Sequence, residues 1–231
     1  MIPKIIHQTA KTKAISWEER RLVDRMKRKL PDWKYMFHDD NDNEQLVKKY
    51  FPNFLEKYRA IPRGVAKADI SRLIYMYVYG GFYFDTDYKL YQEIPEWMLE
   101  KKQLLMESRE NPSEYKLGNA ILASESGGSF YKGFIEHIFE SDELNHLKEN
   151  RVELVTGPEA LTNYYMQHKD LYEKSVSIIP RMYFHSPSTC HGLIIKREKE
   201  SIGAHLCWGS WRSGNLVKRI FIFMQRKIQA F

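Results

Sequence analysis

Two aspartates separated by one residue, Asp85 and Asp87, carry the clearest chemical signal in the sequence. They follow the apolar run Phe82-Tyr83-Phe84, which predicts a strand over 82–90 that emerges from the core at the rim of the fold. Side chains alternate along a strand, so both carboxylates are expected on one face. Neighbouring carboxylates repel each other unless a cation lies near them, and Mg²⁺ and Mn²⁺ accept such oxygen ligands while leaving positions for phosphates. The pattern indicates a divalent-cation site, although a bare pair of this kind also occurs at ordinary polar strand ends.

A second pair of charged residues precedes this motif. Asp69 and Arg72 are three residues apart in a segment that predicts a helix from Pro62 to about Tyr79, so they share one helix face. Taken alone, they would form a surface ion pair contributing less than about 1 kcal/mol. Their proximity in sequence to the two aspartates makes them candidates for ligand binding.

The elements that must position these residues alternate between strands and helices. Alternation of this kind predicts an α/β fold with a mostly parallel sheet flanked by helices. A domain over 1–212 is expected, followed by a basic amphipathic helix over 213–231. The predicted strands are 2–7, 33–38, 82–90, 104–107 and 120–123. The predicted helices are 16–30, capped by Ser16, one that follows an acidic turn at 39–42, and then 62–79, 129–139 and 158–168.

The motif and its surroundings resemble one sugar-transferase family. Its pattern is Ala-x-x-Asp-x-x-Arg, an apolar helix, then Gly-Gly-x-Tyr-x-Asp-x-Asp. The chain supplies it as Ala66, Asp69, Arg72, Gly80, Gly81, Tyr83, Asp85 and Asp87. Further matches are IPKIIHQT from residue 2, GNAILAS from 118, TGP at 156–158 and HLCWGSW from 205, with Ala10 where the family usually has Trp. Over residues 2–211 the chain is similar to DXD-containing glycosyltransferase family 32, which includes yeast-type initiating mannosyltransferases, α-galactosyltransferases and bacterial capsular polysaccharide enzymes.

This resemblance implies a GT-A fold, a nucleotide-sugar donor and a bound Mn²⁺ or Mg²⁺. It further implies retaining transfer of a hexose to a glycan or lipid-linked glycan in surface (capsular) polysaccharide synthesis. A UDP-sugar such as UDP-galactose is the favoured donor, and GDP-mannose stays open.

The resemblance also assigns roles to individual residues. Asp87 would coordinate the metal, Asp85 would touch the ribose or a metal-bound water, and His205 would be a further metal ligand. Asn119 would lie near the anomeric carbon. The residues implied in substrate binding are Asp69, Arg72, His7, Gln8, Thr9, Tyr83, Ser210 and Trp211. Without the resemblance, His205 would be interpreted as a hydrogen-bonded histidine beside Cys207 and Trp208.

The last seventeen residues carry much of the net charge. The chain has a formal charge of +6, and residues 215–231 contribute four basic residues and no acid. On a helix, one side would hold Val217, Ile220, Phe221, Met224, Ile228 and Phe231, and the other Lys218, Arg219, Gln225, Arg226 and Gln229. The pattern is typical of a helix lying on an anionic membrane surface, and equally of a helix packed on the domain with its basic side in solvent.

The cysteines and the apolar runs bear on the compartment. Cys190 and Cys207 lack a CxxC partner, which predicts neither a disulfide framework nor a zinc site and favours a reducing compartment. The sequence shows no signal peptide and no run of 18 apolar residues. The expected location is therefore the cytoplasm, or the inner membrane face as a peripheral protein.

Three other classes of function were weighed against the motif. A phosphatase of the haloacid dehalogenase type also uses DxD, but it needs Thr or Val where this chain has Lys89. A non-enzymatic carbohydrate-binding module would explain the aromatic content but not the four charged residues near the motif. Nucleic-acid binding is not expected, because the basic charge is local and no recognised module is present.

Overall fold

The computed structural model describes residues 1–108, 116–147, 152–185, 199–208 and 216–230. Its strands are β1 (Ile5–Thr9), β2 (Lys34–His38), β3 (Gly81–Phe84), β4 (Tyr88–Leu90), β5 (Gln103–Glu107), β6 (Leu117–Ser124), β7 (Val176–Ile179) and β8 (Gly203–His205). Its helices are α1 (Trp17–Lys29), α2 (Asp40–Tyr50), α3 (Leu55–Ala60), α4 (Gly64–Val78), α5 (Glu96–Leu99), α6 (Ser129–Glu140), α7 (Val152–Val155), α8 (Pro158–Gln167), α9 (Lys169–Tyr172) and α10 (Leu216–Gln229).

Six of these strands form one sheet in the order β2-β1-β3-β6-β5-β7. The pairs β1–β2, β1–β3 and β5–β7 are parallel, whereas β6 runs antiparallel to both of its neighbours. The expected α/β fold with a mostly parallel sheet is therefore confirmed, and β6 is its one reversed strand within the described residues. Strands β4 and β8 form a separate two-stranded antiparallel sheet.

Side chains alternate along each strand, so the six-stranded sheet presents side chains on both faces. A hydrophobic core covers each face. In β3, Tyr83 points into a core built with α2, α4, α6 and α8, while Phe82 and Phe84 point into the opposite core with α1 and α5. All three aromatic side chains are essentially inaccessible to solvent. The strand that precedes the two aspartates is thus fixed from both sides.

The helix starts show how local chemistry sets the element boundaries. Ser16 caps α1 as expected and forms a reciprocal capping box with Glu19. The segment 39–42, expected to be an acidic turn, is instead the start of α2: Asp39 is its N-cap and bonds reciprocally with Asp42. Carboxylates near a helix N-terminus satisfy free backbone N–H groups and favour the positive end of the helix dipole.

The continuous strand predicted over 82–90 is wrong. Strand β3 ends at Phe84, a turn follows over 85–87, and β4 begins at Tyr88 in the other sheet. The backbone N–H of Tyr88 donates to the carbonyl of Asp85 and closes the turn. The two aspartates therefore come together because they lie on a turn between two sheets, and not because of strand alternation.

Two glycines allow the approach to this turn. Gly80 and Gly81 have φ of +66° and +96°, a region that other residues rarely adopt. A Cβ at Gly81 would lie 2.5 Å from the carbonyl oxygen of Ile5, and one at Gly80 would lie 2.7 Å from that of Ser124. The Gly-Gly pair therefore lets α4 end and β3 enter between β1 and β6.

The C-terminal helix contradicts one of the two arrangements expected from the sequence, the one in which its apolar side packs on the domain and its basic side faces solvent. It packs on the domain through its polar side: Gln225 and Gln229 are 2% and 4% exposed. Its apolar residues Ile220, Phe221 and Met224 face outward instead and are 41–52% exposed. Among the described helices, none combines the length and apolar character required to cross a bilayer.

We predict that Gly81→Ala lowers the free energy of unfolding by about 2 kcal/mol or more, because it combines a strained φ with a backbone collision. Urea denaturation measures the change. Gly64→Ala is the matched control, since a Cβ at that helical position meets no atom within 4 Å, and it should be neutral or slightly stabilising. Equal stability of Gly81→Ala and the parent chain would contradict this account of the turn.

Candidate active site

The turn between β3 and β4 brings three ligand-type side chains together. Strand β8 pairs with β4 so that His205 lies opposite Tyr88, directly after the second aspartate. His205 Nε2 lies 3.1 Å from Asp87 Oδ1 and 3.5 Å from Asp85 Oδ2. Ligand atoms of all three residues lie within 4.8 Å of one another. The structure therefore joins residues more than a hundred positions apart into one group.

The spacing of these atoms fits a divalent cation. Ligands in adjacent positions around an octahedral ion at about 2.1 Å are separated by about 3 Å, close to the two distances from His205 Nε2. Two carboxylates and one imidazole are a donor set that suits Mn²⁺ well, whereas Mg²⁺ prefers oxygen ligands throughout. All three side chains are half-buried, which leaves room for a ligand from the solvent side.

Without a cation, the group is an ion pair. Burial alone would raise the pKa of Asp87, but His205 and a hydrogen bond from the Trp208 N–H hold it below its usual value. Burial alone would likewise lower the pKa of His205, but Asp87 and Asp85 raise it. The positive charge of the imidazolium thus offsets the charge of the two carboxylates.

Arg72 balances the first aspartate from the other side. Its Nη2 lies 3.3 Å from Asp85 Oδ1 and 3.4 Å from Asp69 Oδ1, and both Arg72 and Asp69 are buried. The guanidinium lies 4.7 Å from the ring centre of Tyr83, whose hydroxyl donates to Asp85 Oδ1 at 2.6 Å. Asp69 and Arg72, predicted on one helix face, therefore form a buried bridge to the turn over 85–87, which is called the acidic turn from here on. They are not a surface ion pair.

Asn119 belongs to the same network. Its side-chain amide donates to Asp69 Oδ1 at 2.9 Å, and its backbone carbonyl oxygen accepts from Arg72 Nη1 at 2.7 Å. Thr156 donates to the other oxygen of Asp69 at 3.0 Å, and its role was not predicted although its TGP segment was noted. Burial raises the pKa of Asp69 to about 7, against the opposing effects of Arg72 and the two hydrogen bonds. Asp69 therefore fixes Asn119 at the edge of the acidic turn.

The three β1 residues expected to bind the nucleotide occupy different environments. His7 and Gln8 are completely buried. The side chain of Gln8 donates to the carbonyl of Asp85 at 3.0 Å and accepts from the hydroxyl of Tyr35, so it positions the turn. Thr9 is half-buried at the strand end, where it donates to the carbonyl of His38. Only Thr9 of the three lies where a nucleotide could reach its side chain.

His7 forms a chain of hydrogen bonds inside the core. Its Nε2–H donates to the carbonyl of Gly80 at 2.9 Å, so its Nδ1 accepts from His38 Nε2 at 3.2 Å. The rings of His7 and His38 stack on Tyr75. Burial lowers the pKa of His7 to about 3 and that of His38 to about 4. The predicted contact between His7 and the nucleotide is replaced by a structural role beneath the Gly-Gly turn.

Two further residues hold the acidic turn and were not predicted to do so. The backbone N–H of Trp208 donates to Asp87 Oδ2, and its indole N–H donates to Gln229 Oε1, both at 2.8 Å. Glu19 accepts from the hydroxyl of Thr86 at 2.9 Å and pairs with Arg226 Nη2 at 3.5 Å. Both routes connect the turn to α10. No sequence signal identified them, because each contact joins segments distant along the chain.

Cys207 and His185 lie beside His205 in ways that the sequence did not predict. Cys207 is disulfide-bonded, so the prediction that the cysteines form no disulfide is wrong. Its Sγ lies 3.4 Å from His205 Nδ1. His185 is buried with its ring centre 6.2 Å from that of His205, and was not predicted. Ser210 and Trp211, expected to close over the diphosphate, lie outside the described residues.

Comparisons with known proteins agree on the class. Among solved structures, PaToxG glycosyltransferase superposes with a TM-score of 0.57 at 19% identity, covering 75% of this chain and 73% of that one. Residues 16–105 match the family described as "Glycosyltransferase sugar-binding region containing DXD motif". The six-stranded sheet with its acidic turn is thus the GT-A glycosyltransferase fold.

Two curated relatives match parts of the chain. Inositol phosphoceramide mannosyltransferase 3 of Schizosaccharomyces pombe is 36% identical over 90 residues, which is 37% of this chain and 24% of the relative. Inositol phosphoceramide mannosyltransferase 2 of the same organism is 26% identical over 179 residues, which is 73% of this chain and 48% of the relative. The chain therefore spans about half or less of the length of these relatives. The likeness to the DXD-containing family of glycosyltransferases is carried by residues 16–105.

The buried histidine pair predicts a pH dependence of stability. His38 stays neutral in the folded chain down to a pKa of about 4, whereas its ordinary value is 6.5. As pH falls below 6.5 the unfolded chain binds a proton that the folded chain does not, so the free energy of unfolding falls. Between pH 6.5 and 5 the parent chain should lose about 1–2 kcal/mol more than His38→Gln, which keeps a donor to His7.

Chemical denaturation at the two pH values, in the presence of EDTA, measures this difference. EDTA removes any contribution from a metal bound at the acidic turn. An identical loss of stability in the parent chain and in His38→Gln would show that His38 titrates normally in the folded state.

Proposed function

We propose that the chain is a metal-dependent retaining glycosyltransferase that moves a hexose from a nucleotide sugar to a glycan or lipid-linked glycan acceptor. One observation carries this proposal: the convergence of Asp85, Asp87 and His205 at the turn after β3, with ligand-atom spacing suited to a divalent cation. The family match over 16–105 includes both aspartates but not His205, whose part rests on the geometry.

In this proposal Asp87 and His205 hold Mn²⁺, or Mg²⁺, and Asp85 binds the same ion, one of its waters or the ribose. When bound, the cation stabilises the negative charge that develops on the departing diphosphate. Arg72 and Tyr83 orient Asp85, because both contact its Oδ1. Ser210 and Trp211 are proposed to bind the diphosphate, on the strength of the resemblance seen in the sequence.

The transfer step needs few protein groups. The bond between the anomeric carbon and the diphosphate oxygen breaks, and the acceptor hydroxyl oxygen bonds to the same carbon. The proton of that hydroxyl passes to the departing phosphate oxygen, so no carboxylate has to act as a nucleophile. Glu125 could not serve as such a nucleophile, because it lies beyond the far end of β6 and pairs with the N-terminal ammonium. Asn119, fixed by Asp69 and Arg72, is assigned to the side of the donor sugar near the anomeric carbon.

The donor sugar separates two versions of the proposal. The resemblance seen in the sequence favours a UDP-sugar, galactose in particular, used in capsular polysaccharide synthesis. The curated relatives are named as mannosyltransferases that act on inositol phosphoceramide. Their names support mannose as the competing sugar and a lipid-linked acceptor in place of a capsular one.

The location is proposed only as the surface of a membrane. The cytoplasm, or the inner membrane face, was expected from the sequence. Disulfides are typical of oxidising compartments, so the bonded state of Cys207 weighs against the reducing compartment that was inferred from the cysteines.

Asp87→Asn is predicted to abolish Mn²⁺ binding, measured by isothermal titration calorimetry, and to lower transfer by on the order of 100-fold or more. The fold should remain, since the change conserves shape. Asp170→Asn, an exposed acid on α9, is the matched control and should leave both quantities unchanged. Unaltered Mn²⁺ affinity in Asp87→Asn would refute the metal site, and full transfer activity in EDTA would refute the metal requirement.

A thermal-shift panel of UDP, GDP, CMP and their sugars, each with Mn²⁺ and with EDTA, tests the donor. A ligand at 100 times its dissociation constant adds about 2.7 kcal/mol of stability. A shift with UDP compounds that EDTA removes supports the galactose version, and one with GDP compounds supports the mannose version. If no nucleotide stabilises the chain in the presence of Mn²⁺, the carbohydrate-binding module becomes the better interpretation.

A further inference from the structure

The outward side of α10 is an exposed apolar ridge. Among the described residues, twelve large apolar side chains are exposed, and five of these lie on this one helix. They are Ile220, Phe221, Phe223, Met224 and Ile228, named here the α10 ridge, with exposed fractions from 41% to 59%. Exposed apolar residues that occur singly are ordinary, whereas a contiguous group usually marks an interaction surface.

The helix is held in this orientation by its polar side. Lys227 Nζ pairs with Glu18 at 3.2 Å, and Arg226 Nη2 bonds to the hydroxyl of Ser16 at 3.0 Å. The carbonyl of Gln229 accepts from Lys89 Nζ at 2.8 Å. Because the polar residues are engaged with the domain, the ridge cannot turn inward without breaking these contacts. Its exposure is therefore built into the docking of the helix.

Positive charge is concentrated in the two helices that meet beside the ridge, since α10 contacts the start of α1. Helix α1 has six basic and three acidic residues, and α10 has four basic residues and no acid. Together these two helices carry a formal +7, compared with +6 for the whole chain, so the remainder sums to −1. An apolar ridge on a pair of helices with this net charge complements a surface that is negatively charged outside and apolar beneath.

The border of the ridge has the composition of a membrane-interface belt. Trp17 is 42% exposed at the start of α1. Lys227 Nζ lies 4.2 Å from the ring centre of Trp17 and 5.1 Å from that of Phe223. Trp residues favour the depth of the lipid headgroups, and lysine stems lie along apolar surface while the ammonium stays in water. A protein partner would not require this combination of convex apolar ridge, aromatic border and net positive charge.

We propose that the α10 ridge, bordered by Trp17, inserts into the headgroup region of an anionic lipid bilayer and seats the domain on the membrane. The two contacts of α10 with the acidic turn, through Trp208 and through Glu19, then hold the candidate active site at a fixed height above the lipid. The proposal concerns binding alone and does not depend on which sugar is transferred.

Co-sedimentation with vesicles tests the proposal. The full chain should bind phosphatidylcholine vesicles that contain about 30% phosphatidylserine, bind pure phosphatidylcholine vesicles at least tenfold more weakly, and be released by high salt. Phe221→Glu combined with Met224→Glu should weaken binding to the anionic vesicles at least tenfold. The matched control is Met166→Glu combined with Leu171→Glu, two residues outside α10 that are 52% and 69% exposed, and it should bind like the parent chain.

Circular dichroism and the Tm of each variant confirm that it is folded, and sedimentation velocity reports its oligomeric state. Equal vesicle binding by the Phe221/Met224 variant and the parent chain would overturn the proposal. Failure of the parent chain to bind anionic vesicles would overturn it too. If the parent chain is a dimer that does not bind vesicles, and the Phe221/Met224 variant is a monomer, the ridge would be assigned to contact with a second copy of the chain instead. Nucleotide-induced thermal shifts, unaffected by these substitutions, separate failure here from failure of the proposed transferase function.

Discussion

The repulsion between two carboxylates on one short turn is the constraint on which the rest of the site depends. Two carboxylates this close repel each other, and nearby positive charge offsets that repulsion. The fold supplies Arg72 on one side, 3.3 Å from Asp85, and His205 on the other, 3.1 Å from Asp87. Arg72 is buried and always charged, whereas the imidazole can act as a neutral metal ligand. Arg72 and His205 therefore offset the charge of the carboxylates, and loss of the imidazolium proton would make His205 a neutral ligand for a metal ion.

Much of the supporting structure serves to aim this turn. The Gly-Gly pair brings β3 between its neighbours, the side chain of Gln8 holds the carbonyl of Asp85, and Trp208 holds the carboxylate of Asp87. Helix α10 reaches the same turn through Trp208 and Glu19, although it is the last element of the chain. A site held from β1, β8 and α10 at once is more rigid than an isolated loop, which favours a fixed arrangement of ligands.

The sequence predicted the fold class, most element positions and the central motif, because these depend on local periodicity, caps and a spaced pattern of residues. Ser16 as the cap of α1 and the strand at Lys34–His38 are examples. It did not predict the break after Phe84, since Asp85 and Asp87 fit the alternation of one continuous strand and no Gly or Pro marks the change of sheet. Nor could it predict that His7 is buried or that α10 docks through its polar side. The burial of His7 depends on its contact with Gly80, and the docking of α10 depends on Glu18 and Glu19. Local sequence patterns do not identify these partners.

The most direct test of the account is anomalous diffraction from crystals grown with Mn²⁺ and a nucleoside diphosphate. The account predicts one strong manganese peak with Asp87 and His205 among its ligands and the diphosphate on its open side. The His205 imidazole would then coordinate the ion in place of its present 3.1 Å contact with Asp87. A diphosphate bound elsewhere, with the His205–Asp87 ion pair intact and no manganese at the turn, would contradict it.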